Sequence, residues 1–328
     1  MEAVRARRVR GYTALALMLV TWVVQSEIVQ SIEEKANRPF LITFLNHASM
    51  ALLVPFLPSG AFAALVATAG ASKRRVAAVA AALSIVYTAG DYLWYVALPY
   101  TSVAEATVLF QAQSVFAVVL AAVILRERPT VARVLGIAVS LGGVALVACD
   151  GSSAAGGRRF LGDMLVVGGA ASYAAYEVCF ARWLGDAAGP VVNAATALVG
   201  VASLATTWPL FFVLDAAGLE PYGAPVPRDL WPWIALNAAL ALVFNASIMI
   251  AVVALSPVTA SCATMLTIPL SALCDRALKG SRLAPAAWGG AALVVAGFLA
   301  TELPSARREK GDDDAAQPHY DAVAPELV

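Results

Sequence analysis

Within apolar stretches of this chain stand a few residues able to bind a polar solute or carry a proton. They are Glu27, Asn46, His47, Asp91, Tyr95, Gln111, Tyr176, Glu177, Asn245, Thr264 and Thr267, with Pro269 beside the last of them. Ionisable groups in a hydrocarbon environment are costly and face a cavity, water or a partner, so each marks a candidate binding or coupling position. Glu27 has Gln25, Ser26, Gln30 and Ser31 around it. It is either a substrate or proton-coupling carboxylate, or an interfacial residue solvated with Glu33 and Glu34. Histidine as a side chain titrates near neutrality, so His47 is read either as a proton-linked group or as a hydrogen-bonded packing residue. Asp91 is followed one helical turn later by Trp94 and Tyr95. The apolar runs contain no lysine or arginine to pair with it. A wet cavity beside it, or a protonated carboxyl, is therefore expected.

Gln111 and Gln113 are expected on different sides of their helix, so at most one of them lines the same cavity. Glu105 falls near a helix start, where the dipole favours a carboxylate. In the second half Glu177, Asn237, Asn245, Thr264 and Thr267 are the corresponding polar positions. Pro269 frees backbone groups beside Thr267 and is a candidate gate. The glycine pairs Gly142-Gly143 and Gly289-Gly290 suit close helix contact.

These residues do not assemble into a catalytic set. The lone His47 and the dispersed Glu27, Asp91 and Glu177 give no Ser/His/Asp arrangement and no acidic metal spacing, so the chain is not expected to be an enzyme. Cys149, Cys179, Cys262 and Cys274 are scattered without a CxxC pair and read as packing residues. No metal site or other cofactor is indicated. The absence of a GxxxxGK[ST] loop leaves direct ATP drive unsupported, and a formal net charge of zero gives no footprint for nucleic acid.

The elements that must position the polar residues follow from composition. Of 328 residues 60% are hydrophobic and only 13% charged, with a mean hydropathy of +0.76. A soluble domain would carry roughly 25% charged residues. The apolar residues come in blocks of about 18–25, the length that crosses a bilayer of roughly 30 Å as a helix. The expected fold is an all-α membrane protein with about ten transmembrane spans: 11–31, 39–57, 76–98, 103–125, 131–148, 161–184, 190–214, 231–254, 259–278 and 285–303. Residues 60–71 are apolar but short, a continuation of the second span or an interfacial piece. The first run is too long for a signal-peptide core and reads as a signal anchor.

Basic residues orient the spans. With the N-terminus inside, Lys73, Arg74 and Arg75, then Arg126, Arg128 and Arg133, then Arg182 fall in cytoplasmic loops, and Arg307, Arg308 and Lys310 in the tail. The opposite side carries Lys35, Arg38, Arg158, Arg159, Arg228, Arg276, Lys279 and Arg282. The balance favours both termini in the cytosol.

The chain also resembles itself. Leu98-Pro99-Tyr100-Thr101-Ser102-Val103-Ala104 falls on Leu255-Ser256-Pro257-Val258-Thr259-Ala260-Ser261. Thr107 then falls on Thr264, Leu109 on Leu266 and Ser114 on Ser271, and with a small gap Gly136 and Gly143 fall on Gly290 and Gly297. Two units with an odd number of spans each must have opposite orientations, a recurrent plan of secondary transporters with the substrate site between the halves. The expected organisation is a basic cytosolic N-terminus (1–10), a first five-helix repeat (11–149), a linker (150–160), a second five-helix repeat (161–303) and a disordered cytosolic tail (304–328).

At these residues the sequence resembles the drug/metabolite transporter superfamily with its paired EamA-type repeats, and within it the F-like branch of solute carrier family 35. The matching segments are Trp22 with Ser26-Glu27, Asn37-Arg38-Pro39-Phe40, Tyr100 to Ala104, Tyr173 and Tyr176, Trp208-Pro209, and Leu266-Thr267-Ile268-Pro269-Leu270. The resemblance implies a ten-helix carrier with cytosolic termini, in an endomembrane such as vacuole or Golgi rather than the plasma membrane. It implies superfamily cargoes such as nucleotide-sugars, phosphorylated metabolites, amino acids or vitamins. It also implies an acidic residue at Glu27 and an asparagine at Asn46, but more often an amide where Asp91 stands. The family's small hydroxyl-rich run appears here as Glu105-Ala106-Thr107-Val108-Leu109-Phe110-Gln111-Ala112-Gln113, and Glu127 has no counterpart at Gly280-Ser281.

The expected function is secondary-active transport of a small organic solute by alternating access, with the lipid bilayer and a small-molecule substrate as partners and a homodimer left open. The alternatives are a membrane scaffold or sensor and an intramembrane lipid-modifying enzyme.

Overall fold

The computed structural model describes residues 2–311 except 34, 37, 98–99, 101–105, 107–108, 149–158, 224, 272 and 274–284. The described residues are helical throughout and include no strand. Six helices are long and apolar enough to cross a membrane, and three shorter apolar helices cover 113–125, 131–146 and 288–301. Large apolar side chains point outward, Val123 at 73% and Phe160 at 71% exposure. A contiguous apolar exterior of this kind suits lipid rather than water.

Helix α1 (Glu2–Glu33) begins well before the expected span and includes the basic segment. Arg7 explains this extension. Its Nε donates to Ala254 O at 2.9 Å, one Nη donates to Val253 O at 3.2 Å, and the other pairs with Asp186 at 2.7 Å. The cation thereby answers the last carbonyls of another helix, where the macrodipole is negative.

Helix α2 (Pro39–Ser49) continues as a 3-10 segment, Met50–Phe56, that contains Pro55. The next helix, α3 (Ala61–Thr68), is separate. Gly60 with φ 86 turns the chain in the left-handed region open to glycine. Residues 60–71 are therefore not a continuation of the second span.

Helix α4 (Lys73–Ala97) is followed by α5 (Gln113–Leu120), which ends in a π turn, Ala121–Leu125. Then come α6 (Val131–Ala148), α7 (Arg159–Leu184) and α8 (Gly189–Thr206). The span expected over 190–214 is interrupted. Pro209 has no N–H to continue the ladder, the Thr207 hydroxyl donates back to Ser203 O at 2.8 Å, and a short α9 (Leu210–Ala216) follows. Helix α10 is Trp231–Ala254 and α11 is Pro257–Thr264. Helix α12, Pro285–Gly311, extends into the segment expected to be an unstructured tail, and residues 312–328 lie outside the described ones. The 150–160 linker lies almost wholly outside them as well.

Three long antiparallel pairings organise the molecule: α1 with α10, α4 with α7, and α6 with α12. In the first, Gly11 meets Leu255 at one end and the Trp22 ring meets Phe244 at a tilt, 5.1 Å between centroids, further along. In the second, Gly90 meets Gly169 backbone while Tyr87 lies against Tyr176. In the third, Gly136 faces Gly297 and Gly143 faces Gly290. Small residues let backbones approach where apolar packing against lipid offers little preference. Only one glycine of each expected pair takes part, since Gly142 and Gly289 face open space.

At one end of the bundle the loop after α9 is fastened to α2. Arg38 precedes the helix and offers no side-chain cap, and Pro39 occupies its first turn. The carboxylate of Glu220, buried at 3% exposure, supplies the missing acceptors: Phe40 N donates to Oε2 at 2.7 Å and Leu41 N to Oε1 at 3.2 Å. Arg38 in turn donates to Pro221 O. Capping groups of this kind are worth about 1 kcal/mol.

A Cβ on Gly143 would lie 2.5 Å from Gly290 O. Gly143→Ala is therefore expected to cost about 1–3 kcal/mol by overpacking, read as a lower melting temperature in detergent. Gly142→Ala is expected to melt as the wild type does.

Burial raises the Glu220 carboxyl above its ordinary pKa, opposed by the two backbone donors and by Arg38. A raised folded value means that the carboxyl's contribution to stability is fully present below its unfolded pKa and is lost as pH rises through the folded one. Melting curves across the acid range should show that loss in the wild type and not in Glu220→Gln.

A buried polar site between the helix pairs

The residues singled out in the sequence come from α1, α2, α4, α7, α10 and α11, from the turn before α5 and from the chain just after α11, and most of them meet. His47 on α2 is 1% exposed, and its ring is held at both nitrogens. Nε2 lies 2.8 Å from Asp91 Oδ2 and Nδ1 lies 3.0 Å from Thr88 Oγ1, both on α4. A neutral ring donates to the carboxylate and accepts from the threonine; a protonated ring donates to both. The partner of Asp91 is thus a histidine rather than a lysine or arginine. Asp91 keeps 27% of its side chain exposed.

The imidazole also begins a column of rings. It lies over Tyr87 at 3.8 Å and 18°, and Tyr87 lies over Tyr176 of α7 at 4.5 Å and 6°. Tyr173 meets Tyr87 edge-on at 5.7 Å. The Tyr87 hydroxyl donates to Asn245 Oδ1 at 2.6 Å, and the Asn245 amide donates to Ala241 O on its own helix α10. Tyr87 was not a sequence candidate. Its position one residue before Thr88 and one helical turn before Asp91 was the available signal.

Beyond the column lies Glu177, fully buried, with one carboxylate oxygen accepting from the Ser261 hydroxyl. Its other oxygen, Oε1, has no hydrogen-bond partner. Ser261 O accepts from Ser114 at 3.1 Å and from Thr264 at 2.7 Å. Gln113 Nε2 donates to Thr264 Oγ1 at 2.6 Å, and Gln111 Oε1 lies 3.5 Å from the same hydroxyl. A narrow cleft opens among Trp22, Phe110, Gln111, Gln113, Tyr173, Thr264 and Thr267, with room for about one water molecule. Small-molecule sites run to roughly 300–1,000 Å³, so a solute does not fit the cleft as it stands.

Both glutamines line this cavity, against the expectation that at most one could. The reason is local: Ala112 N donates to Leu109 O and Ser114 N to Gln111 O. The three-residue spacing of these bonds tightens the backbone before α5, and the ordinary 100° step does not hold there. The chain around Pro269 is broken comparably. Met265 and Leu266 form a turn, Ile268 N bonds to Met265 O, and the Thr267 hydroxyl donates to Thr264 O at 2.6 Å.

Other candidates stand apart. Asn46 accepts from Asn237 Nδ2 at 2.8 Å and ties α2 to α10. Glu27 is half-buried and does not line the cavity. Tyr95 stacks edge-on against Trp94 at 5.2 Å and packs beside the Val29–Ile42–Ile234 cluster. Glu105 and Thr107 lie outside the described residues, as do Cys149, Cys274 and Gly280-Ser281. Among the described residues no group of three or more histidine, cysteine or acidic side chains could hold a metal ion.

At the end of the molecule opposite Glu220, Arg133 approaches Glu127 at 3.7 Å. Burial raises the Glu127 carboxyl above its ordinary pKa, and the arginine partly offsets that shift.

Residues 9–149 match the EamA-like transporter family. An uncharacterized transporter of Schizosaccharomyces pombe is 24% identical over 88% of this chain and 94% of its own length. An uncharacterized vacuolar membrane protein of Saccharomyces cerevisiae is 23% identical over 95% and 94%. Solute carrier family 35 member F5 of Macaca fascicularis is 27% identical over 65% of this chain and 51% of that one. A crystal structure shares the fold at a TM-score of 0.63 and 20% identity, covering 93% of this chain and 99% of that one. The long apolar helices and these similarities together make this a multi-pass membrane protein whose residues 9–149 carry the likeness to EamA-like transporters.

Proposed function

We propose that the chain is a secondary-active transporter of a small organic solute, of the nucleotide-sugar, metabolite or vitamin kind, that works by alternating access. Two inverted five-helix repeats, 11–149 and 161–303, enclose the site, and both termini are cytosolic. The observation that carries this reading is the way the helix pairings exchange when the halves are exchanged.

In the repeat register, α1 corresponds to α7, α4 to α10 and α6 to α12. Exchanging the halves turns the α1–α10 pairing into α7–α4, and both pairings are present. It turns the contact of Gly136 with Gly297 into that of Gly290 with Gly143, which is present as well. An operation that swaps the members of an antiparallel pair is a two-fold axis perpendicular to both helices. For membrane-spanning helices that axis lies in the plane of the bilayer, the relation expected of inverted repeats.

The polar site supports the same reading. It is shared by both halves, and the backbone is irregular beside the cavity on each side, at Leu109–Ala112 and at Met265–Leu266. Non-helical backbone at membrane depth is tolerated where it lines a cavity or is buried in protein. We assign substrate binding or coupling to Asp91, His47, Tyr176, Glu177, Gln111, Thr264, Thr267 and Asn245. Glu27, Asn46 and Tyr95 act on the approach from one end, and Pro269 acts in the gate. An endomembrane such as the vacuole fits the vacuolar membrane relative.

The test is counterflow in liposomes loaded with nucleotide-sugars, thiamine or amino acids. Exchange of at least one class is expected; exchange of none favours the scaffold reading. Asp91→Asn removes a charged hydrogen bond to His47 and should slow flux about tenfold or more, with normal insertion and elution. Glu27→Gln is expected to reduce flux as well. Full flux in both variants would remove these two residues from the site.

A further inference from the structure

Two groups of charged contacts join the early part of the chain to its later part outside the buried site, and they lie at opposite ends of the molecule. At one end Arg7 of α1 donates to Ala254 O and Val253 O, the last carbonyls of α10. The same guanidinium pairs with Asp186 in the turn between α7 and α8. At the other end Glu220, in the loop between α9 and α10, accepts from Phe40 N and Leu41 N at the start of α2. Arg38 donates from that side to Pro221 O. The antiparallel run of α1 against α10 sets the ends apart. Gly11 meets Leu255 near the first, and Val29 and Ile32 pack with Leu230 and Ile234 near the second.

Each group holds an element next to the site. Arg7 grips the end of α10, and α11, which carries Ser261 and Thr264, begins shortly afterwards at Pro257. Glu220 grips α2, which carries His47, and Phe211 of α9 meets Phe40 edge-on at 4.7 Å beside that contact. The contacts answer groups that helix ends leave open, carbonyls in one case and N–H groups in the other. They are also exchangeable. Arg7 keeps 38% of its side chain exposed and Asp186 62%, so water takes over these bonds when the partners separate, and the net loss is modest. Glu220 is buried, but its carboxylate is hydrated once the loop lifts from α2.

Resting on the transport reading, we propose that these contacts are two latches, one at each mouth of the pathway, which hold the closed conformation and are released in turn. Release of Arg7 frees the junction of α10 and α11 and opens the first end. Release of Glu220 lifts the α9–α10 loop from α2 and opens the second. In the repeat register the two latches hold equivalent turns. The turn from α1 to α2 ends in Arg38, the turn from α7 to α8 holds Asp186, and α2 and α8 both start with proline and without a side-chain cap. Both latches are closed here, in keeping with a cleft that admits no solute.

The test asks from which face of the membrane a reagent reaches the cleft. Thr264→Cys supplies the reporter, with Cys149, Cys179, Cys262 and Cys274 replaced by alanine. A membrane-impermeant maleimide is applied to right-side-out and inside-out vesicles, and a tag on the N-terminus marks the face that bears Arg7. Arg7→Gln is expected to speed labelling about tenfold from that face alone, the ratio for loss of one charged contact. Glu220→Gln is expected to speed it about tenfold from the opposite face alone. Where one of these variants fails to fold, Asp186→Asn or Arg38→Gln replaces it, with a change from the same face expected. Any other pattern, with labelling speeded from the wrong face, from both or from neither, overturns the latches. Counterflow that persists in those variants then leaves the transport reading standing. Absence of exchange for every solute in the unaltered protein removes the transport reading, and the latches with it.

Discussion

A polar side chain inside a body of apolar helices finds its partner on its own backbone or on another helix, because lipid offers none. That constraint does more than decorate the core of this protein. His47 with Asp91 binds α2 to α4, Tyr87 with Asn245 binds α4 to α10, Glu177 with Ser261 binds α7 to α11, and Gln113 with Thr264 binds α5 to α11. The bonds fall into separate groups, and the ring column of His47, Tyr87 and Tyr176 lies between them. Apolar packing alone would let the helices slide, since one leucine surface resembles another. Directional bonds and glycine contacts fix which helix meets which, and at what height.

Reading the sequence located these groups but not their partners. Asp91 was legible as a buried acid because of the apolar residues around it. Its partner was not, because His47 is 44 positions away and a lone histidine reads equally well as packing. The glutamines of α5 illustrate a different failure. Their relative direction was inferred from an ideal helix, and the three-residue hydrogen bonds from Leu109 to Ser114 suspend that geometry. Periodicity is informative only where the backbone is regular. The residues nearest a cavity are where it is least so.

Glu220 was missed for a third reason. Attention to the spans leaves loops aside, and nothing in its own neighbourhood marks it. The signal lay elsewhere, at Arg38-Pro39, where a helix starts without a serine, threonine, aspartate or asparagine to cap it. An uncapped helix start is a request for an acceptor from another part of the chain. Long apolar runs and the glycine positions of close helix contact were legible because they are local. Contacts over long sequence separation were not.

The same constraint bears on how such a molecule moves. A group of buried bonds that joins both halves resists their relative displacement, and the cavity beside it is too small for an ordinary solute. Opening must therefore exchange some of these bonds for bonds to water or cargo. The cheapest to exchange are those already incomplete. Glu177 Oε1, the Gln113 carbonyl and the two tyrosine hydroxyls have nothing to lose when a donor arrives, whereas the His47 ring, held at both nitrogens and stacked on Tyr87, gives up three contacts if α2 moves from α4. On the transport reading proposed above, the boundary that shifts falls along α5 and α11, beside which the backbone is irregular, and the α2–α4 contact belongs to the frame.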